Sequence, residues 1–272
     1  TSLGALLSVR KNISHTKARS RLATSSAHVL ATQRITATRK DKRYLVQAKA
    51  IPAATYASFL QLPPRELAEK VSSEGLSAMW GPTSAMRARE LVVANVLSAH
   101  SSHFYWAGVY ACLRDLARLF ARTPSVISAF QANLVHKADP NGHACAVGPV
   151  ANLLKAALAL GAALLPDLSL SLPGDTLLPL VGQQAKWFAH HCRRAIRLRL
   201  MQNLQDRCAE DKVEAKDYRE NLPGVTMSLD HEATIALLRR KPPKTLEGKP
   251  PSFVAIHSFL GDALSAREKR AW

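Results

Sequence analysis

Val109-Tyr110-Ala111-Cys112-Leu113-Arg114-Asp115-Leu116-Ala117-Arg118-Leu119-Phe120-Ala121-Arg122 is the stretch that decides the fold class. Its apolar positions Val109, Cys112, Leu113, Leu116, Leu119 and Phe120 recur at three- and four-residue spacing, which gives an α-helix one apolar face. Arg114, Arg118 and Arg122 fall four apart on the other side. Ser101 or Ser102 supplies an N-cap for this helix. Downstream, Thr123-Pro124 reads as N-cap and first helical residue of a second helix through Val126, Ile127, Phe130 and Leu134. Upstream, Pro63-Pro64 opens a helix through Leu67, Val71 and Leu76 to about Trp80. Gly81-Pro82 breaks it, and Thr83 or Ser84 caps another through Leu91, Val93, Val96 and Leu97, ending near His100. Asp139-Pro140-Asn141-Gly142 reads as a turn, and long alternating β-branched runs are missing.

Val150 to Leu165 is nearly continuous apolar sequence, interrupted by Asn152 and Lys155 and closed by Pro166. Its roughly 16 residues fall short of the roughly 20 that span a bilayer. A buried core helix is expected there, in a chain that is not an integral membrane protein. Pro173-Gly174-Asp175 then leads into a predicted long helix over about 177–209, with charged, loop-like sequence and a short helix at Asp230–Arg240 beyond it. The expected fold is mostly α, an irregular α-helical bundle or short helical array with an extended basic N-terminal arm. The divisions are 1–50 for the arm, 51–240 for the helical domain, and 241–272 for a Pro/Lys linker (Lys241-Pro242-Pro243-Lys244 to Lys249-Pro250-Pro251) with a C-terminal docking tail.

Charge points to the partner. The 272 residues carry 37 Lys+Arg against 20 Asp+Glu, a net charge of +17 that favours a polyanion. Eleven of the cations lie in residues 1–50, against the single acid Asp41. They are Arg10, Lys11, Lys17, Arg19, Arg21, Arg34, Arg39, Lys40, Lys42, Arg43 and Lys49. The Arg-, Ser- and Ala-rich, acid-poor composition of the first 45 residues is that of an organellar targeting segment, with the mitochondrial matrix favoured over the plastid. Such a segment carries little apolar surface for folding alone. We expect a retained basic extension laid along a polyanion, with all of these except Lys49 as RNA-binding candidates.

A second basic element lies at Lys186-Trp187-Phe188-Ala189-His190-His191-Cys192-Arg193-Arg194-Ala195-Ile196-Arg197-Leu198-Arg199. Lys186, His190, Arg193, Arg194 and Arg197 are spaced three or four apart, while Phe188, Cys192, Ala195, Ile196 and Leu200 make an apolar face. Lys186, Arg193, Arg194 and Arg197 join the RNA-binding candidates. Aromatic residues are only 6% of the chain, so backbone charge is expected to outweigh base stacking.

No catalytic machinery is legible. GxGxxG, GxxxxGK[ST], GxSxG and HExxH are absent, and the acids of 206–220 interleave with Lys and Arg as on a solvated face. His190-His191-Cys192 are helix neighbours about 100° apart, which do not share one tetrahedral metal. Ser101-Ser102-His103 reads as a helix cap. Cys112, Cys145, Cys192 and Cys208 form no CxxC pair and read as buried thiols of a reducing compartment. We therefore expect no catalytic residues, no metal, no cofactor and no small-molecule substrate.

Ala151-Asn152-Leu153-Leu154-Lys155-Ala156-Ala157-Leu158-Ala159-Leu160-Gly161, followed by Pro166-Asp167 and Leu177-Leu178, resembles one unit of the octotricopeptide/heptatricopeptide class of organellar helical-repeat proteins. The likeness covers about 149–189, without a second copy in register. It implies RNA binding through stacked helix pairs. The function expected is a structural component of a mitochondrial ribosome, with rRNA and neighbouring ribosomal proteins as partners. The alternatives are an accessory subunit of an inner-membrane complex, an ATP synthase or respiratory complex, and a soluble organellar RNA-processing factor.

Overall fold

The computed structural model describes residues 16–80, 92–137, 148–174 and 176–210. It is mostly helical, as expected. Two compact units divide the chain: residues 1–83 with 98–199, and residues 84–97 with 200–272.

In the first unit, α1 spans Thr16–Arg34. α2 (Arg39–Leu45) runs through a π-helical turn, Val46–Ala50, into α3 (Ile51–Thr55). α4 (Arg65–Trp80) begins directly after Pro63-Pro64, where the sequence places it. Here one expectation is corrected: the arm is not extended over residues 16–50. α1 lies against α4 and against the 46–55 helices, and α2 packs on α4. Its buried seam is Ala18, Leu22, Ser25, Val29 and Thr32, a three- and four-residue spacing built from small and hydroxylated side chains. The buried hydroxyls satisfy themselves within the helix, Ser25 Oγ donating to Arg21 O (2.8 Å) and Thr32 Oγ1 to His28 O (2.8 Å). At the rim, Ser26 Oγ donates to Glu74 Oε2 at 2.6 Å and Gln33 Nε2 to Glu74 O at 2.9 Å. Asp41, the lone acid of this region, is spent on structure: its Oδ2 accepts from Thr38 Oγ1, the N-cap of α2, at 2.6 Å, while its N–H donates to the same oxygen at 3.2 Å.

α5 (Ala99–Ser102) leads into α6 (Phe104–Arg122), the central helix, which packs on α3, α4 and α5. Val109, Cys112, Leu113, Leu116 and Phe120 are buried, as their spacing predicts. The N-cap position belongs to His103, one residue beyond the serines expected there. α6 is crossed closely at Gly108, where a Cβ would sit 2.6 Å from Pro63 Cγ. α7 (Ser125–Lys137) follows Thr123-Pro124 as expected.

α8 (Pro149–Leu160) is the first part of the expected core helix, with Val150, Ala151, Leu153, Ala156, Ala157 and Leu160 buried. The helix stops at the left-handed Gly161, short of the expected 165, and Ala163–Leu164 are a strand. Its polar interruption has a use. Asn152 latches the 59–62 loop, accepting from Leu62 N (3.4 Å) and donating to Phe59 O (3.3 Å). No described helix is long and apolar enough to cross a membrane.

After α8 the structure departs from the expected helix at 177. β1 (Ala163–Leu164), β2 (Ser169–Leu172) and β3 (Thr176–Pro179) form an antiparallel sheet in the order β1-β2-β3, with Leu170 opposite Leu178. Asp167 holds the first turn, accepting from Ser169 N at 3.0 Å and Ser169 Oγ at 2.9 Å. α9 then runs over Ala185–Glu210, its residues to Arg199 belonging to the first unit. Where the repeat resemblance implies paired helices, this stretch holds a helix and a small sheet. Of the second unit, the described residues are the π-helix Val92–Leu97 and the end of α9. The expected helix segment at 83–91, the turn at 139–142, the helix at 230–240, and the linker and tail at 241–272 lie outside the described residues.

Candidate nucleic-acid interface

α9 holds its position through its apolar side. Phe188, Cys192, Ala195 and Ile196 are buried, as is Leu200. Cys192 is close enough to Cys112 of α6 to affect its ionisation, which orients this face toward α6. Burial pushes the Cys192 thiol up to about 12 and the Cys112 thiol higher still, so both stay protonated and inert.

The opposite side of α9 is cationic and open. Lys186, His190, Arg193 and Arg194 are exposed, and Arg197 is partly buried. Arg193 Nε donates to Ala189 O at 2.8 Å, which fixes the start of its side chain. No Asp or Glu occurs from residue 176 to residue 205, so neighbouring sequence contributes no carboxylate to neutralise this face. α6 makes the contrast: Asp115 Oδ1 lies 2.9 Å from Arg114 Nη2 and 3.8 Å from Arg118 Nη1. Arg199 turns the other way, its guanidinium packed over Gly161. Gly161 is the left-handed C-cap of α8, where a cation offsets the helix dipole.

The N-terminal candidates divide by burial. Lys17, Arg19 and Arg34 are exposed on α1, as are Arg39 and Lys40 on α2. Lys42 donates to Gln33 O at 2.9 Å and holds α2 to α1. Arg21 and Arg43 are half-buried, and desolvation pulls both below the usual guanidinium range. Arg21 Nε and Nη1 lack hydrogen-bond partners, so its charge faces inward toward the packed side of α1. Arg10 and Lys11 lie outside the described residues.

Comparison adds nothing to this geometry. No protein-family model matches the chain, and no curated protein or solved structure matches it. The functional reading therefore rests on the chain's own chemistry.

Two further groupings bear on that chemistry. His103 Nε2 lies 3.2 Å from Glu69 Oε2, and its Nδ1 3.3 Å from Ser72 Oγ. Yet Ser72 Oγ donates its one proton to Ala68 O (2.6 Å) and accepts from Phe104 N (2.9 Å). With Ser72 and His103 both buried, the trio fastens the start of α6 to α4. Among the described residues no group of three or more His, Cys, Asp or Glu is placed to hold a metal ion.

Trp187 and His191 lie in the same basic stretch but are not among the RNA-binding candidates read from the sequence. Their rings meet with centroids 4.0 Å apart, and Trp187 stays 38% exposed. Their four-residue spacing inside the basic stretch was the available signal.

Proposed function

We propose that this chain is a structural, RNA-binding component of a mitochondrial ribosome. Its helical body packs among neighbouring ribosomal proteins, and the open face of α9, with the exposed cations of α1 and α2, neutralises rRNA phosphates. The observation that carries the reading is the two-sided character of α9. Its apolar side is consumed by the chain's own core, while Lys186, Arg193 and Arg194 stay exposed in a stretch free of acids. Keeping so many like charges on one rigid face costs free energy that a bound polyanion returns. Residues 16–50 owe their order to the core, so the proposal stands on exposed charge and not on a threaded arm. Much of the apolar run at 150–165 is spent on the chain's own core, through Val150, Ala151, Leu153, Ala156, Ala157 and Leu160, which favours the ribosomal reading over a membrane-complex subunit.

Sucrose-gradient sedimentation of mitochondrial lysate tests the proposal. The chain is expected to travel with one ribosomal subunit and to leave it after ribonuclease or high-salt treatment. Recovery at the top of the gradient at physiological salt refutes the ribosomal assignment.

A further inference from the structure

We propose that Trp187 and His191 form a stacking platform for an unpaired RNA base, so that α9 prefers single-stranded over duplex RNA. The inference rests on α9 being the RNA-facing surface and names the class of RNA that it takes.

The geometry has three parts. First, Trp187 and His191 sit one helical turn apart, with ring centroids 4.0 Å apart and planes inclined by 50°. His190 adds a third ring, 5.2 Å from His191 and nearly perpendicular to it. Second, the platform is rigid. Phe188, the next residue, is 2% exposed and anchors this turn of the helix, so ordering Trp187 on binding costs little further freedom. Third, the cations flank it. At helical spacing Arg194 continues the Trp187–His191 row, and Lys186 and Arg193 lie in the row beside it. A base on the rings therefore leaves its phosphates within reach of three exposed positive side chains.

A tryptophan on a basic helix also suits a membrane interface. That arrangement needs an apolar helix face free to enter the lipid. Here Phe188, Cys192, Ala195 and Ile196 are already buried in the protein. Of α9's described large apolar side chains up to residue 200, only Trp187 and Leu198 remain substantially exposed, at 38% and 52%. Charge with isolated rings, and no apolar face, fits a strand of phosphates and bases. Duplex RNA offers this surface phosphates and 2′-hydroxyls but no free base face for the rings, since its bases are stacked on one another.

Fluorescence anisotropy with the full chain tests the idea, using labelled short oligo(U) and an A-form duplex of equal length. Trp187→Ala is expected to weaken oligo(U) binding about tenfold, within the range of one base–aromatic stack, and to leave duplex binding unchanged. Trp187→Phe is expected to keep most of the oligo(U) affinity. Equal losses on both RNAs, or no loss on either, overturn the stacking platform while leaving the electrostatic reading intact. Salt-insensitive binding of both RNAs by the unaltered chain overturns that reading as well. Vesicles containing cardiolipin provide the other arm. A blue shift of tryptophan emission that Trp187→Phe abolishes, with no response to oligo(U), assigns the face to lipid and refutes the proposal.

Discussion

Charge removal on α9 gives the sharpest quantitative test, because the structure separates cations that are free to act from cations already engaged. In Lys186→Gln/Arg193→Gln/Arg194→Gln, three exposed charges go and the buried face is untouched. Each neutralised phosphate contributes about −0.7 to the log–log salt slope for single strands and about −0.9 for duplexes. Losing three contacts therefore makes the slope shallower by about 2 for oligo(U) and about 3 for duplex RNA. At ~0.1 M salt the same arithmetic weakens binding by about 100-fold and 500-fold respectively. Surface substitutions of this kind alter stability by no more than about 0.5 kcal/mol each, so the fold survives and circular dichroism confirms it. Titrations followed by anisotropy from about 0.05 to 0.2 M salt read the slope. Arg114→Gln/Arg118→Gln is the control, since Asp115 already engages both of these side chains. An unchanged slope in the triple variant, or an equal change in the control, refutes the assignment of the interface to α9.

Two further outcomes follow from the interior. Gly108→Ala should gain about 1 kcal/mol of helix propensity yet lose about 1–3 kcal/mol to overlap with Pro63, giving net destabilisation in urea melts. On a Pro63→Ala background the propensity gain should reappear, and stabilisation of the single variant contradicts the close approach of 2.6 Å. Burial, aided by Arg193, holds His100 at about 4 against an ordinary 6.5, so between those values the unfolded chain binds the additional proton. Stability is then intact above about 6.5 and is lost as pH falls toward 4, by up to about 3 kcal/mol, and His100→Asn should flatten that loss in urea melts at matched pH.

What the sequence made legible depended on how each element is held. α4, α6 and α7 form where proline or capping signals announce them, and in α6 the spacing marks the core. In α4 Val71 and Leu76 are buried while Leu67 is exposed, and in α7 Leu134 is buried while Val126, Ile127 and Phe130 are only partly covered. α9 showed both faces in advance, because Phe188, Cys192 and Ile196 alternate cleanly with Arg193, Arg194 and Lys186. α1 hid itself. Its seam uses Ala18, Ser25 and Thr32, which register weakly as hydrophobic, and the hydroxyls become buriable only once the helix supplies carbonyls for them. Counting charge over residues 1–50 therefore read a packed helix as a bare arm. The sheet escaped for another reason. Its strands are two to four residues long, and β3 directly precedes the helical pattern that absorbed it. The Ser169–Leu172 alternation between Pro166-Asp167 and Pro173-Gly174 was the signal to be read.

The helical state of residues 16–34 and 39–50 alters the energetics of the proposed recognition. A disordered basic arm folding onto RNA gives up about 1–2 kcal/mol of backbone entropy for each residue fixed, which offsets much of what its charges gain. α1 and α2 are already ordered by their contacts with α4, and α9 by Phe188, Cys192 and Ile196. Their exposed cations thus meet phosphate with the ordering cost already met by the core. The same rigidity narrows the partner, since fixed rows of charge suit an RNA surface whose phosphates match their spacing. Specificity would then come from shape and from the bases that reach Trp187, while the charges set affinity and its dependence on salt.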